Sequence, residues 1–178
     1  MVIFRFLKTE RKLDMKIFRR GVLLCLLLAG TAGCDRVTKH LAVTTLAGMP
    51  ERSYLGDTVR LDYHENAGGF MSAGANWPPA VRVAVFQGAN ATFLLGAIFM
   101  AARFKWSRLA AVGLVLFVAG GLSNLVDRIA LGSVIDFLNI GIGPIRTGIF
   151  NVADVAIMLG MALLLADRYR TRRAAATL

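Results

Sequence analysis

Only two histidines, His40 and His64, and two cysteines, Cys25 and Cys34, occur among the 178 residues. There is no H-E-x-x-H run and no Cys/His set at ligand spacing. A metal site is therefore the weaker reading, and neither a metal nor a cofactor is expected. Neither histidine has a triad-like setting, which leaves serine or cysteine nucleophile chemistry without its base. Cys25 and Cys34 stand nine positions apart. On a helix that spacing turns them to opposite sides with a rise of ~13.5 Å, which excludes a disulfide between them there. Charge is scarce as well: 18% of residues are charged against 56% hydrophobic, and the mean hydropathy is +0.59. That balance excludes an ordinary soluble domain and points to a polytopic membrane protein. Internal repeats and low-complexity linkers are missing, so one domain is expected.

What the sequence does have is four apolar stretches, at about residues 17–33, 80–102, 109–126 and 149–166. The second is interrupted by Arg82, Gln87 and Asn90. Each is close to the ~20 residues that cross a hydrocarbon core of ~30 Å. The net charge of +10 would suggest nucleic acid in a soluble chain, but its placement says otherwise. Arg5, Lys8, Arg11, Lys12, Lys16, Arg19 and Arg20 precede the first stretch. Arg103, Lys105 and Arg108 link the second to the third, and Arg168, Arg170, Arg172 and Arg173 follow the fourth. Those are 14 of 21 basic residues on one side, which the positive-inside rule makes cytoplasmic. Of the 11 acidic residues only Glu10, Asp14 and Asp167 join them. The basic charge is a topology signal, and no nucleic-acid partner is expected. Trp106 inside, with Tyr54, Tyr63 and Trp77 outside, suits the two interfacial belts.

On the outer side, Val59, Leu61 and Tyr63 alternate with Arg60, Asp62 and His64, the period of a short strand. "NAGGF" then supplies two glycines for a tight turn or bulge. A small β-ribbon at the membrane surface is the reading. Residues 129–148 hold Gly132, Gly141, Gly143, Pro144 and Gly148, so a long helix is not expected there. The segment is too apolar for a solvated loop and is read as an interfacial one, lying against protein or a wet cavity.

Ionisable groups in or beside spanning segments are costly, and here they gather at the outer ends. Asp35 and Lys39 follow the first stretch, Asn124, Asp127 and Arg128 close the third, Asn151 and Asp154 open the fourth, and Asp136 lies in the loop between. Gly113, Gly120, Asn124 and Asp127 share one helical face, as do Asn151 and Asp154. Several acidic groups thus converge on one outward-facing pocket. Two carboxylates brought together share a proton, and such a pair can activate water and polarise a carbonyl. Structural readings stand beside this one. Asp127 with Arg128 reads equally as an ion pair, Asp35 with Lys39 as a helix-end salt bridge, and Asp154 as a carboxylate favoured by a helix start.

The clusters resemble those of the lipoprotein signal peptidases (signal peptidase II), bacterial membrane aspartic endopeptidases, over about residues 17–170. "DRVTK" (35–39) is similar to the D-x-x-[ST]-K element, "ENAGGF" (65–70) to the N-x-G element, and "GGLSNLVDR" (120–128) to G-G-x-x-N-x-x-D-R. "VIDF" (134–137) and "FNVAD" (150–154) resemble the two catalytic motifs. The resemblance implies that Asp136 and Asp154 are the catalytic dyad. It makes Asn66, Gly68, Asn124, Asp127, Arg128 and Asn151 site-shaping, and Asp35 and Lys39 important for activity or stability. "NAGGF" is one residue shorter than the family's form, so no role passes to Phe70.

The implied substrate is a diacylglyceryl-prolipoprotein, cut just before its lipidated cysteine. The implied setting is the bacterial inner membrane, with both termini cytoplasmic, the site facing the periplasm, membrane lipids around it and a monomeric chain. The expected fold is a membrane all-α bundle with four transmembrane helices, plus a small periplasmic β-ribbon and the interfacial loop. Its parts are a basic arm (1–14), a single peptidase domain (15–170) and a cytoplasmic tail (171–178). "LLLAGTAGC" (26–34) imitates a lipobox, but Asp35 belongs to the D-x-x-T-K element and Thr31 stands where lipoboxes favour Leu. A retained first helix is expected. The alternatives are a protein lipid-anchored at Cys34 and a small transport or channel subunit.

Overall fold

The computed structural model describes the backbone of residues 2–176 and the side chains of residues 18–176. The side chains of the basic arm (1–14) and residues 177–178 of the tail lie outside the described residues. Helix α1 (Val2–Leu46) leads into strands β1 (Arg52–Tyr54) and β2 (Val59–Asn66), then a 3-10 turn, Phe70–Ser72. A continuous helical rod follows, made of α2 (Pro79–Arg82), a π-helical stretch (Val83–Ala89) and α3 (Asn90–Arg103). Next come α4 (Arg108–Leu131), β3 (Val134–Ile142), β4 (Ile145–Arg146) and α5 (Val152–Ala176).

Three described helices are long and apolar enough to cross a membrane: Phe18–Leu46, Pro79–Arg103 and Arg108–Leu131. The apolar run of α5 is bounded by Asp154 at one end and by Asp167 and Arg168 at the other. Helix α4 is the central element, packed on α5, α1 and α3, with most of its apolar stretch buried. The corresponding stretches of α1 and α3 are almost wholly exposed, including Leu23, Leu26, Phe93 and Phe99. Apolar faces of that extent need a non-aqueous surrounding.

Several boundaries differ from the sequence reading, for identifiable reasons. The first stretch does not stop near residue 33; α1 continues to Leu46 and turns off before Gly48, whose φ is +73°. Helix α4 does not end near residue 126 but at Gly132, which takes the left-handed φ of +77° that a Cβ would disfavour. Its start is set by Ser107, whose Oγ accepts from the Ala110 N–H at 3.0 Å. The fourth stretch begins as extended chain, and α5 starts only at Val152.

The largest correction concerns the outer segments. Residues 129–148 are not an irregular interfacial loop: 134–142 form a strand, and the short ribbon becomes a four-stranded antiparallel sheet in the order β1-β2-β3-β4. β2 pairs with β3 in a register that sets His64 opposite Asp136 and Asn66 opposite Val134, with a bulge between Leu61 and His64. A bulge inserts an unpaired residue and flips which side chains share a face. The sheet rests on the end of α1, where Ala42 and Leu46 pack with Ile135, Leu61, Tyr63 and Phe137. "NAGGF" is followed not by a simple tight turn but by the 3-10 turn, with Met71 and Ser72 at φ of +53° and +59°. The opposite end of the bundle is tied by Arg20, whose guanidinium donates to the carbonyls of Trp106 (3.0 Å) and Ser107 (3.1 Å). Ser107 Oγ donates in turn to Asp167 at 2.5 Å.

Candidate active site

Five elements bring polar side chains together beneath the sheet. α1 supplies Asp35, Arg36 and Lys39, and α4 supplies Ser123, Asn124, Asp127 and Arg128. β2 ends in Asn66, β3 carries Asp136, and α5 opens on Asn151 and Asp154. The α4–α5 approach depends on glycine. A Cβ on Gly120 would strike the Ala153 carbonyl, and one on Gly113 would come within 2.8 Å of the Gly160 carbonyl. The helical face inferred from Gly113, Gly120, Asn124 and Asp127 is therefore real, and α5 covers part of it.

Asn151 caps α5 and joins the two aspartates. Its backbone N–H donates to Asp154 Oδ2 at 3.1 Å, and its Oδ1 accepts from the Asp154 N–H at 2.9 Å. This reciprocal pairing satisfies donors left open at a helix start. Its Nδ2 donates to Asp136 Oδ1 at 2.6 Å and to Asn124 Oδ1 at 3.3 Å. Asn124 Nδ2 completes the link by donating to Asp154 Oδ1 at 2.8 Å. On the other side, Asn66 Nδ2 donates to Asp136 Oδ2 at 3.0 Å, while Asn66 Oδ1 accepts from the Gly68 N–H at 3.0 Å. Gly68 lies so close to the Ala73–Ala75 backbone that a Cβ would come within 2.5 Å of the Ala73 carbonyl.

Asp136 is 2% exposed. Burial pushes its carboxyl up to about 6, and the nearby Asp154 charge adds to the rise against the opposing amide bonds from Asn66 and Asn151. Asp136 and Asp154 line one cleft of about 670 Å³, together with Asn66, Asn124 and Arg128 and an apolar wall that includes Phe70, Phe117 and Ile157. A half-open, mostly apolar cleft with a few converging polar groups is the form of a site for an amphiphilic ligand.

Behind the aspartates lies a buried ion cluster. Lys39 Nζ is 2.7 Å from Asp35 Oδ2, 2.7 Å from Asp127 Oδ2 and 2.8 Å from Asn124 Oδ1, so all three of its hydrogens have acceptors. Asp35 also accepts from Ser123 Oγ (2.6 Å) and the Ala153 N–H (2.8 Å). The i,i+4 salt bridge read between Asp35 and Lys39 is present, but it is buried within α1 and not at a helix end, since α1 continues well past both. The Asp127–Arg128 reading also gives way. Asp127 pairs with Lys39 and Arg36 across helices, while Arg128 donates to the carbonyls of Gly68 (2.8 Å) and Asn124 (3.3 Å). Adjacent positions on a helix point about 100° apart, so neighbours in sequence rarely pair.

Two members of this network escaped the sequence reading. Ser123 stands four positions before Asp127, which places it on the same face, a signal present in "GGLSNLVDR". Arg36 gave no such signal, because its partners Asp127 and Ser123 lie on another helix. Among the described residues no group of His, Cys, Asp and Glu side chains could hold a metal ion.

A model of the signal peptidase (SPase) II family matches residues 24–170. The lipoprotein signal peptidase of Desulforapulum autotrophicum is 32% identical over 146 residues, covering 82% of this chain and 90% of its own. That of Burkholderia cenocepacia strain HI2424 is 37% identical over 107 residues, 60% of this chain and 62% of its own. A bacterial membrane enzyme solved by the in meso method at 2.3 Å resolution shares the fold, with a TM-score of 0.72 and 21% identity over 83% of this chain and 88% of that one. A second, solved at 1.9 Å, gives 0.68 and 22% over 81% and 90%. With its apolar helices, its small antiparallel sheet and a match running through every element of the cleft, the chain belongs to the signal peptidase II family, proteases of the inner membrane that process lipoprotein precursors.

Proposed function

We propose that the chain is an intramembrane aspartic endopeptidase that cuts diacylglyceryl-modified prolipoproteins just before the lipidated cysteine, with Asp136 and Asp154 as the catalytic pair. The observation that carries this is their meeting in one cleft, each carboxylate held by amide donors and both tied to Asn151. In the cycle, the ionised aspartate takes a proton from water as its oxygen attacks the scissile carbonyl carbon. The protonated aspartate gives its proton to the carbonyl oxygen. The tetrahedral diol then collapses: the aspartate that took water's proton gives it to the departing cysteine nitrogen, the other aspartate takes a diol hydroxyl proton, and no acyl-enzyme forms. The raised protonation of Asp136 supports its holding the shared proton at the start of the cycle.

The chain works as a single peptidase domain (15–170) with four spans, α5 included, as a monomer. Both termini and the tail lie in the cytoplasm, and the sheet and cleft lie at the periplasmic surface. The tie between Arg20, the 103–108 link and Asp167 supports this, because it gathers the basic segments at the end away from the sheet. The apolar wall of the cleft suits the diacylglyceryl chains, which remain in the bilayer while the peptide enters. The Cys34 reading fares poorly: cleavage there would cut α1 beside Asp35, which is fully buried on Ala153 and Lys39.

The test is cleavage of a diacylglyceryl-modified precursor by wild type, Asp136→Asn and Asp154→Asn in micelles. Each variant should lose at least ~10²–10⁴-fold in rate with an unchanged fold, the range for a general acid or base. Wild-type rates in either would refute the assignment.

A further inference from the structure

Arg82, Gln87 and Asn90 interrupt the second apolar stretch, and the cleavage reading gives Arg82 no work. It lies at the sheet end of the Pro79–Arg103 rod, away from the basic segments at the other end. There it lines a pocket of about 80 Å³ with Arg128, Gln87, Phe86, Val83 and Gly132. That is the space of two to three waters at ~30 Å³ each, about the size of one tetrahedral anion group. The Nε atoms of Arg82 and Arg128 are both buried, and among the described residues neither has a hydrogen-bond partner. No carboxylate lines the pocket. Arg128 is held over the Phe86 ring at 5.8 Å, and Trp77 stacks on the same ring at 5.8 Å, so the floor is rigid. Phe86 and Gln87 sit in the π-helical stretch, a geometry frequent at functional sites. Gln87 Nε2 donates to the Arg128 carbonyl at 2.8 Å and fixes the two elements together.

We infer that this pocket binds the phosphate of an anionic phospholipid of the surrounding bilayer. Two guanidinium groups with unspent N–H donors match phosphate oxygens in charge and geometry. The absence of a lining carboxylate gives nothing to receive a choline or ethanolamine cation, which selects anionic headgroups. Val83 lines the pocket and is 51% exposed, and Phe86 lines it three positions on, so acyl chains attached to a phosphate there have apolar side chains to follow. Because Arg128 reaches from this pocket to the Gly68 carbonyl beside Asn66, a lipid held here braces the wall of the cleft. The leaflet, but not the binding, rests on the topology proposed above.

The experiment is native mass spectrometry of the full chain released from detergent, titrated with dioleoyl-phosphatidylglycerol, dioleoyl-phosphatidylcholine or inorganic phosphate. Wild type should retain one phosphatidylglycerol with an affinity at least tenfold above that of Arg82→Gln, with Arg82→Lys between them. Phosphatidylcholine should bind at least tenfold more weakly, and inorganic phosphate should give no retained adduct. Equal retention by wild type and Arg82→Gln, or equal retention of the two lipids, would overturn the site. A phosphate adduct that depends on Arg82, without lipid retention, would overturn the lipid assignment. Thermal unfolding of Arg82→Gln and Arg82→Lys without added lipid checks that both fold. The readout is binding, so it stands apart from any failure of the proposed cleavage chemistry.

Discussion

Replacing Lys39 by Met should cost far more than a lost surface ion pair. Asp35 and Asp127 are 0% and 1% exposed at the side chain, and the Lys39 ammonium touches both at 2.7 Å. With Arg36 on Asp127, the four charges sum to zero. Lys39→Met keeps the volume of the stem but leaves a buried net charge of −1, and removing one partner of a buried pair costs ~3–5 kcal/mol. At ~1.4 kcal/mol per decade, that is roughly 10²–10⁴ in the folded ratio. The double variant Lys39→Met/Asp35→Asn returns the cluster to neutrality and should recover part of that loss, with a coupling of ~0.5–3 kcal/mol. The assay is thermal unfolding in detergent micelles, followed by tryptophan fluorescence, for the wild type, both singles and the double. Little dependence on salt is expected, since buried pairs are screened far less than exposed ones. A cost under ~1 kcal/mol for Lys39→Met, with coupling inside the ~0.3–0.5 kcal/mol scatter of independent sites, would refute the counter-ion role.

Gly120→Ala should destabilise by ~1–3 kcal/mol, because its Cβ meets the Ala153 carbonyl, a backbone atom that yields only if α5 shifts; the same unfolding assay reads it. Asn151→Ala removes the cap of α5 and the link between the aspartates, so ~0.5–2 kcal/mol of stability should go, with a larger fractional loss in precursor cleavage. The infrared signal of the protonated Asp136 carboxyl should vanish with a midpoint near pH 6, and Asn66→Ala should move that midpoint upward, since it deletes a donor to the ionised form. Between the ordinary value of 3.8 and about 6, Asp136 is protonated in the fold and ionised in the unfolded chain. Its contribution to stability is therefore greatest below 3.8 and is lost as pH rises through 6.

Read along the chain, apolar length and the placement of arginine and lysine determine a membrane-embedded helical protein with its polar residues at one end. Those features are local and additive, so composition and spacing suffice to reveal them. The motifs around Asp136 and Asp154 were equally legible, as was the glycine face of α4. Tertiary structure alone decided the partners. Which cation neutralises Asp127, where Arg128 points, and that Asn151 ties the two aspartates together all depend on helix rotation and on distances between separate elements. No spacing within one element encodes those. The sheet was half hidden for a similar reason: β3 is a mostly apolar run set in a glycine-rich segment, so its strand identity comes from its register against β2. That register sets Asp136 opposite His64 and within reach of Asn66.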